Sequence, residues 1–149
     1  MTVSAPMAAS IEIRDTVLEL YRRMLAGESD EANDLISHDP ALVFIGSAGE
    51  WIDEQDVLRA GRQVPGEGLV AGPSPVAYAD GDVGFFADQP TWQFADGTSA
   101  EMRLSAVLRR EAPGWRVIHL HMSVAVPDDQ CVMLQRRWKY GIPGTNPGG

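Results

Sequence analysis

His119, His121 and Ser123 alternate with Ile118, Leu120, Met122 and Val124 in the run Trp115-Arg116-Val117-Ile118-His119-Leu120-His121-Met122-Ser123-Val124-Ala125. Successive strand residues point to opposite faces, so this pattern predicts one wholly apolar face and one face bearing two imidazoles and a hydroxyl. An enclosed imidazole exchanges protons near neutral pH, whereas one facing water is only a solvated polar group. This strand alone leaves both readings open. Two histidines spaced this way can in principle chelate a metal. No Asp, Glu or Cys stands at an obvious ligand spacing, however, and Glu101 alone is a thin third ligand, so no metal and no cofactor is expected.

Turn lengths extend the pattern to neighbouring strands. A three-residue turn at Ala112-Pro113-Gly114 sets Val107 opposite His119, Ser105 opposite His121 and Arg103 opposite Ser123. A two-residue Asp96-Gly97 turn sets Trp92 opposite Glu101 and Phe94 opposite Ser99. One face then gathers Trp92, Phe94, Glu101, Arg103, Ser105, His119, His121 and Ser123, and aromatics beside a few polar groups suit a small-molecule pocket. On that reading His121 moves a proton, Arg103 stabilises negative charge, and Ser105 and Ser123 orient His121. The plainer alternative is a half-exposed face with Glu101 ion-paired to Arg103 or Arg109. Trp51 and Tyr78 either wall the pocket or belong to the core. The other face, Met102, Leu104, Leu108, Ile118, Leu120 and Met122, is expected to point outward and to be covered by a second copy of the chain.

These strands need elements to position them. Residues 1–9 read as a disordered arm. Ile13, Val17, Leu20, Tyr21, Met24 and Leu25 recur at helical spacing from about Ile11, and Gly27 stands where a C-cap glycine belongs. Ser29 or Asp30 caps a second helix to about Ile36. Leu42 to Ile45 reads as a short strand, and Asp53 caps a third helix to about Gln63. Residues 64–75 are a Gly- and Pro-rich loop of a length common in binding loops. Asp-Gly pairs at 80–81 and 96–97, and the reversal at 112–114, then mark a meander of about four antiparallel strands. Helices first and sheet later predicts an α+β domain over residues 1–128. Residues 129–149 form an extension with a short helix over 130–140 and a Gly/Pro-rich tail.

Composition narrows the partners. Twelve Lys plus Arg against 21 Asp plus Glu give a formal charge of −9, which disfavours nucleic acid and anionic membrane surfaces. The single cysteine excludes an intrachain disulfide, and no signal-like or membrane-spanning run stands out, so a cytoplasmic location is expected. Nucleophile-elbow, P-loop and dinucleotide fingerprints are missing from the sequence.

The order of elements, with Gly81-Asp82-Val83-Gly84-Phe85, Asp96-Gly97, Arg103-Leu104-Ser105-Ala106-Val107 and the stretch from Gly114 to Pro127, resembles the SnoaL-like branch of the nuclear-transport-factor-2-like superfamily. The His121-Met122-Ser123 spacing also resembles a strand of the calcium/calmodulin-dependent kinase association domain. The resemblance spans about Ile11 to Asp128. It implies a cone-shaped α+β barrel, three helices packed into a curved and mostly antiparallel sheet, a pocket at the open end, and dimerisation through the outer sheet face. Members include cyclases, isomerases, epoxide hydrolases and dehydratases as well as association domains, so fold does not settle function. Two functions follow: a cofactor-free acid/base enzyme acting on a hydrophobic oxygenated substrate, or a non-catalytic ligand-binding or association module. The isomerase-type catalytic aspartate has no counterpart here.

Overall fold

The structure is a computed structural model, and it describes residues 3–140. The Gly/Pro-rich tail lies outside the described residues. Helices precede the meander and pack on a mixed, mostly antiparallel sheet, the expected α+β architecture. A strand β1 (Ala8–Ala9) leads into α1 (Ile11–Leu25), α2 (Ser29–Asn33), β2 (Val43–Ile45), β3 (Trp51–Ile52) and α3 (Gln55–Ala60). Next come β4 (Gly68–Val70), β5 (Val76–Asp80), β6 (Val83–Asp88), β7 (Thr91–Gln93), β8 (Ser99–Glu111), β9 (Gly114–Val124) and α4 (Asp128–Tyr140). The main sheet runs β1-β5-β6-β8-β9-β2-β3, with β7 joining β8 to β4, and β2 lies parallel to β9. Its end strands do not pair with each other, so the sheet stays open.

Several boundaries differ from the sequence reading for local reasons. Ala8 and Ala9, read as part of the arm, pair with Ala79 and Tyr78. Ser10 caps α1, its hydroxyl accepting the Ile13 N–H at 3.1 Å. Asp53 caps nothing: α3 starts two residues later and lacks a side-chain cap. The glycine-rich loop contains β4, which exists because it pairs with β7.

The two faces of the sheet are reversed from expectation. Met102, Leu104, Ala106 and Leu108 are buried and Arg103 and Ser105 are exposed. The apolar face meets the stripe Ile13, Val17, Leu20 and Tyr21 of α1, and the three sheet residues from Leu104 to Leu108 join that stripe, Phe86, Val117 and Leu120 in one core. An amphipathic helix can bury its stripe only against apolar surface, so the polar face is left outside. The expectation that Leu120 and its neighbours form a dimer face is therefore overturned. They are interior.

Polar ties hold the two layers. The Trp115 indole donates to Glu12 at 3.2 Å, and Arg110 lies 4.5 Å from the Trp115 ring centre. The buried Asp88 carboxylate accepts from the Tyr21 hydroxyl, the Gly72 N–H and the Gln89 N–H, joining α1 to the segment before β5. Burial first, and the Asp88 charge second, push the Tyr21 phenol well above its ordinary range. A side chain on Gly72 would run into the Gln89 carbonyl.

At the hairpin end, Arg109 donates to Asp39 at 2.6 Å and to Glu111 at 2.8 Å, and Ser37 donates to Glu111 at 2.6 Å. Burial would raise the Glu111 carboxyl, but the bonds from Ser37 and Arg109 outweigh it and hold it below its usual range. Bonds from the Ala41 N–H and from Arg109 lower Asp39. On α1, bonds from Arg22 and Arg23 bring Glu19 down to about 2. Depressed carboxyls stabilise the fold fully above their unfolded values and lose that contribution as pH falls through the folded ones. The urea midpoint should therefore be flat on the neutral side and fall below about pH 4. Arg109→Gln should flatten that acid slope, and an unchanged slope in the variant would contradict the assignment.

Candidate functional site

Partner residues across the sheet share a face, which places Ile52, Phe44, Leu120, Ala106, Phe86 and Ala77 in one inner row. The helix α1 packs on β4, β5, β6 and β9, covering the Phe86 and Ala106 end of this row. Beyond that cover, the Phe44 and Ile52 end lines a cavity of about 540 Å³. Met102, Leu120, Met122 and Val124 form its sheet wall, and Trp92, Phe94 and Ala100 form the β7–β8 side. Ser47, Glu50 and Glu67 supply its polar side chains.

Register explains why Trp92 faces this cavity. It pairs with Leu69 on β4 and Ala100 on β8. The expected pairing of Trp92 with Glu101 is off by one, because the turn is longer than Asp96-Gly97. Phe94 and Thr98 pair across Ala95-Asp96-Gly97, with Gly97 at φ 87°. A glycine in the left-handed region closes a three-residue hairpin of this kind. The slip turns Glu101, paired with Thr91, out of the Trp92 face.

The β8–β9 register has two compensating departures. Glu111 pairs with Gly114 across a two-residue turn, and one extra residue, Ile118, is then accommodated where Leu108 pairs with Val117 but Val107 pairs with His119. Beyond the bulge the expected pairs Ser105–His121 and Arg103–Ser123 are present. They lie on the outer face. His121, Ser105 and Arg103 are exposed, and among the described residues neither the His121 nor the Ser105 side chain makes a hydrogen bond. Ser123 accepts from Arg103 Nε at 3.3 Å instead of orienting His121. His119 donates through Nδ1 to the Val43 carbonyl at 2.8 Å, which ties β2 to β9. Tyr78 packs on Phe85 with ring centres 5.6 Å apart, on the same outer face. Trp51 is 63% exposed and points away from Ile52, its cavity-lining neighbour. Of the residues expected on the pocket face, the cavity thus receives Trp92 and Phe94, while the polar set stays together on the opposite side of the sheet.

The acidic groups of the cavity come from loops. Glu67 belongs to the glycine-rich segment read as a binding loop, and one of its oxygens accepts the Ala95 N–H at 3.3 Å. Glu50 closes the β2–β3 turn by accepting the Ala48 N–H at 2.8 Å, folded so closely over Gly46 that a Cβ there would collide with it. Neither residue stands out in sequence, since the β2–β3 hairpin is too short to show a period. Phe44, Met102, Leu120 and Met122 were readable as apolar strand positions, but their facing depends on α1.

Residues 13–127 match the family model of the SnoaL-like domain, and the chain belongs to that family. Similar solved structures include an NTF2-like protein with a cystatin-like fold from Novosphingobium aromaticivorans, at TM-score 0.65 and 16% identity over 83% of this chain and 86% of that one. A cystatin-like fold protein from Burkholderia xenovorans aligns at TM-score 0.62 and 22% identity, covering 82% of this chain and 100% of that one. The association domain of C. elegans CaMKII aligns at TM-score 0.60 and 17% identity, covering 75% and 92%. These likenesses bear on fold. No curated protein matches the chain. Among the described residues no helix is long and apolar enough to cross a membrane.

The facing of β9 sets the cost of losing each side chain. Leu120→Ala should destabilise the protein by about 3 kcal/mol in urea denaturation, as for a buried leucine. The adjacent His121→Ala should stay within about 0.5 kcal/mol of the parent. Comparable losses for the two would contradict this placement.

Proposed function

We propose that the chain is a cofactor-free module that binds a hydrophobic small molecule in the cavity between Phe44, Trp92 and Met122. The observation that carries this reading is the cavity's make-up: apolar and aromatic side chains from five strands, with polar side chains confined to Ser47, Glu50 and Glu67. Its walls are preformed by sheet pairing, and none is taken up by a helix. Acid/base chemistry through His121 and Arg103 finds no support in this arrangement, because both residues face away from the cavity. Ligand binding is accordingly favoured over the enzymatic reading. Naphthylethanol, a neutral apolar probe, should bind in titration calorimetry with a Kd in the micromolar range. Ala100→Trp, which fills the space beside Trp92, should abolish that binding while the thermal midpoint confirms a folded protein. Unchanged binding in the folded variant would place the ligand elsewhere.

We also propose that the chain is a homodimer through the outer sheet face. Val76, Val83 and Phe85 are 41%, 51% and 37% exposed there, and Phe85 lies in one row with Tyr78, Val107 and His119. A contiguous apolar and aromatic patch rimmed by Arg103 and His121 is the composition of an interface. Light scattering should give the mass of two chains, and Phe85→Glu should reduce it to that of one with the fold retained. A parent protein of single-chain mass would overturn the dimer.

A further inference from the structure

We propose that the ligand of this cavity carries a protonated amine on its apolar body; the proposal rests on the cavity being a small-molecule site. Among the described residues, the ionisable groups lining the cavity are Glu50 and Glu67, with no Lys, Arg or His. Each carboxylate has one oxygen engaged by a backbone N–H, Ala48 for Glu50 and Ala95 for Glu67. Among the described residues their remaining oxygens accept no hydrogen bond and neither residue has an ion-pair partner. Glu67 is half-buried and Glu50 exposed, and a carboxylate ion accepts only, so of the heads a ligand can bring a charged donor serves them best.

The alternatives fare worse on the same groups. An anionic ligand would bring like charge into an apolar cavity that holds two carboxylates, at a cost in desolvation and repulsion. Arg103, the cation that such a ligand would need, stands on the other side of the sheet. A ketone or ether accepts without donating and meets Ser47 as the cavity's side-chain donor beside Trp92. A protonated amine donates to the open carboxylate oxygens, and the faces of Phe44, Trp92 and Phe94 attract a nearby cation. The chain's net charge of −9 adds a field that draws cations toward the protein and repels anions.

Three probes of one body and different heads test this by calorimetry at neutral pH: naphthylethylamine, naphthylethanol and naphthylacetate. The amine should bind about tenfold more tightly than the alcohol, a size expected for a partly desolvated charged hydrogen bond, and the acetate more weakly than the alcohol. In the double variant Glu50→Gln, Glu67→Gln the ratio of amine to alcohol affinity should fall to about one. Alcohol binding as tight as amine binding would overturn the amine proposal and leave the cavity reading standing. Amine preference persisting in the double variant would also overturn it, by locating the charge elsewhere. Failure of all three probes to bind would overturn the cavity reading and this proposal together.

Discussion

The extra residue at Ile118 lets the long β8–β9 ladder keep apolar side chains on its inner face on both sides of the bulge. Without it, strict alternation from Trp115 would turn Val117 and Leu120 to opposite faces, since they are an odd number of residues apart. With it, Trp115 and Val117 on one side of the bulge and Leu120 on the other all enter the core. That continuous inner face is what α1 packs on, and the Trp115 bond to Glu12 fixes the first turn of the helix against it. The polar set on β8 and β9 faces outward as a direct consequence.

The cavity follows from a mismatch of lengths. The inner row runs from Ala77 to Ile52 across six strands, whereas α1 covers only its β5, β6 and β9 portion. The short helices do not close the remainder: α3 contributes no residue to the cavity lining, and α2 buries only Ser29 and Ala32. Apolar surface thus remains beside β2, β3 and β7, bounded by the loops that supply Glu50 and Glu67. Pocket and core are two parts of one surface, distinguished by whether a helix lies over them.

Much of the fold was legible because its signals are local. The helical period from Ile13 to Leu25, the Asp-Gly turns and the alternation on β8 each report on a few neighbouring residues, and α1, the meander and the pairs Ser105–His121 and Arg103–Ser123 came out as read. From Val107 outward the β8–β9 register matches through cancellation: the turn is one residue shorter than expected, which displaces the pairs from Glu111 to Leu108, and the bulge restores the count. Which face points inward is a different kind of information. Alternation separates apolar from polar residues but does not say which set meets the helices, and a face rich in histidine, arginine and aromatics was assigned to a pocket on composition. Burial of the α1 stripe decides it the other way. Glu50 and Glu67 were illegible as site residues because their position depends on the parallel docking of β2 on β9 and on β4 joining β7, both long-range pairings.

Within this fold, chemistry is set by whichever side chains occupy the uncovered end of the inner face, so shared architecture with the CaMKII association domain or the cystatin-like relatives transfers no activity. In this chain that end holds aromatics, methionines and two glutamates. The histidines lie outside the lining: His119 spends its Nδ1 proton on the Val43 carbonyl, and His121 is exposed on the face opposite the cavity wall it alternates with. The carboxylates of this cavity come from loops, each held by a single backbone N–H. Such groups suit recognition of a ligand's charged end better than the fixed geometry that proton transfer demands, since a reacting atom must be held within hydrogen-bond reach by a rigid partner. The apolar wall is built on paired strands and the carboxylates on loops, so on the proposed reading shape selection falls to the sheet and charge selection to the loops.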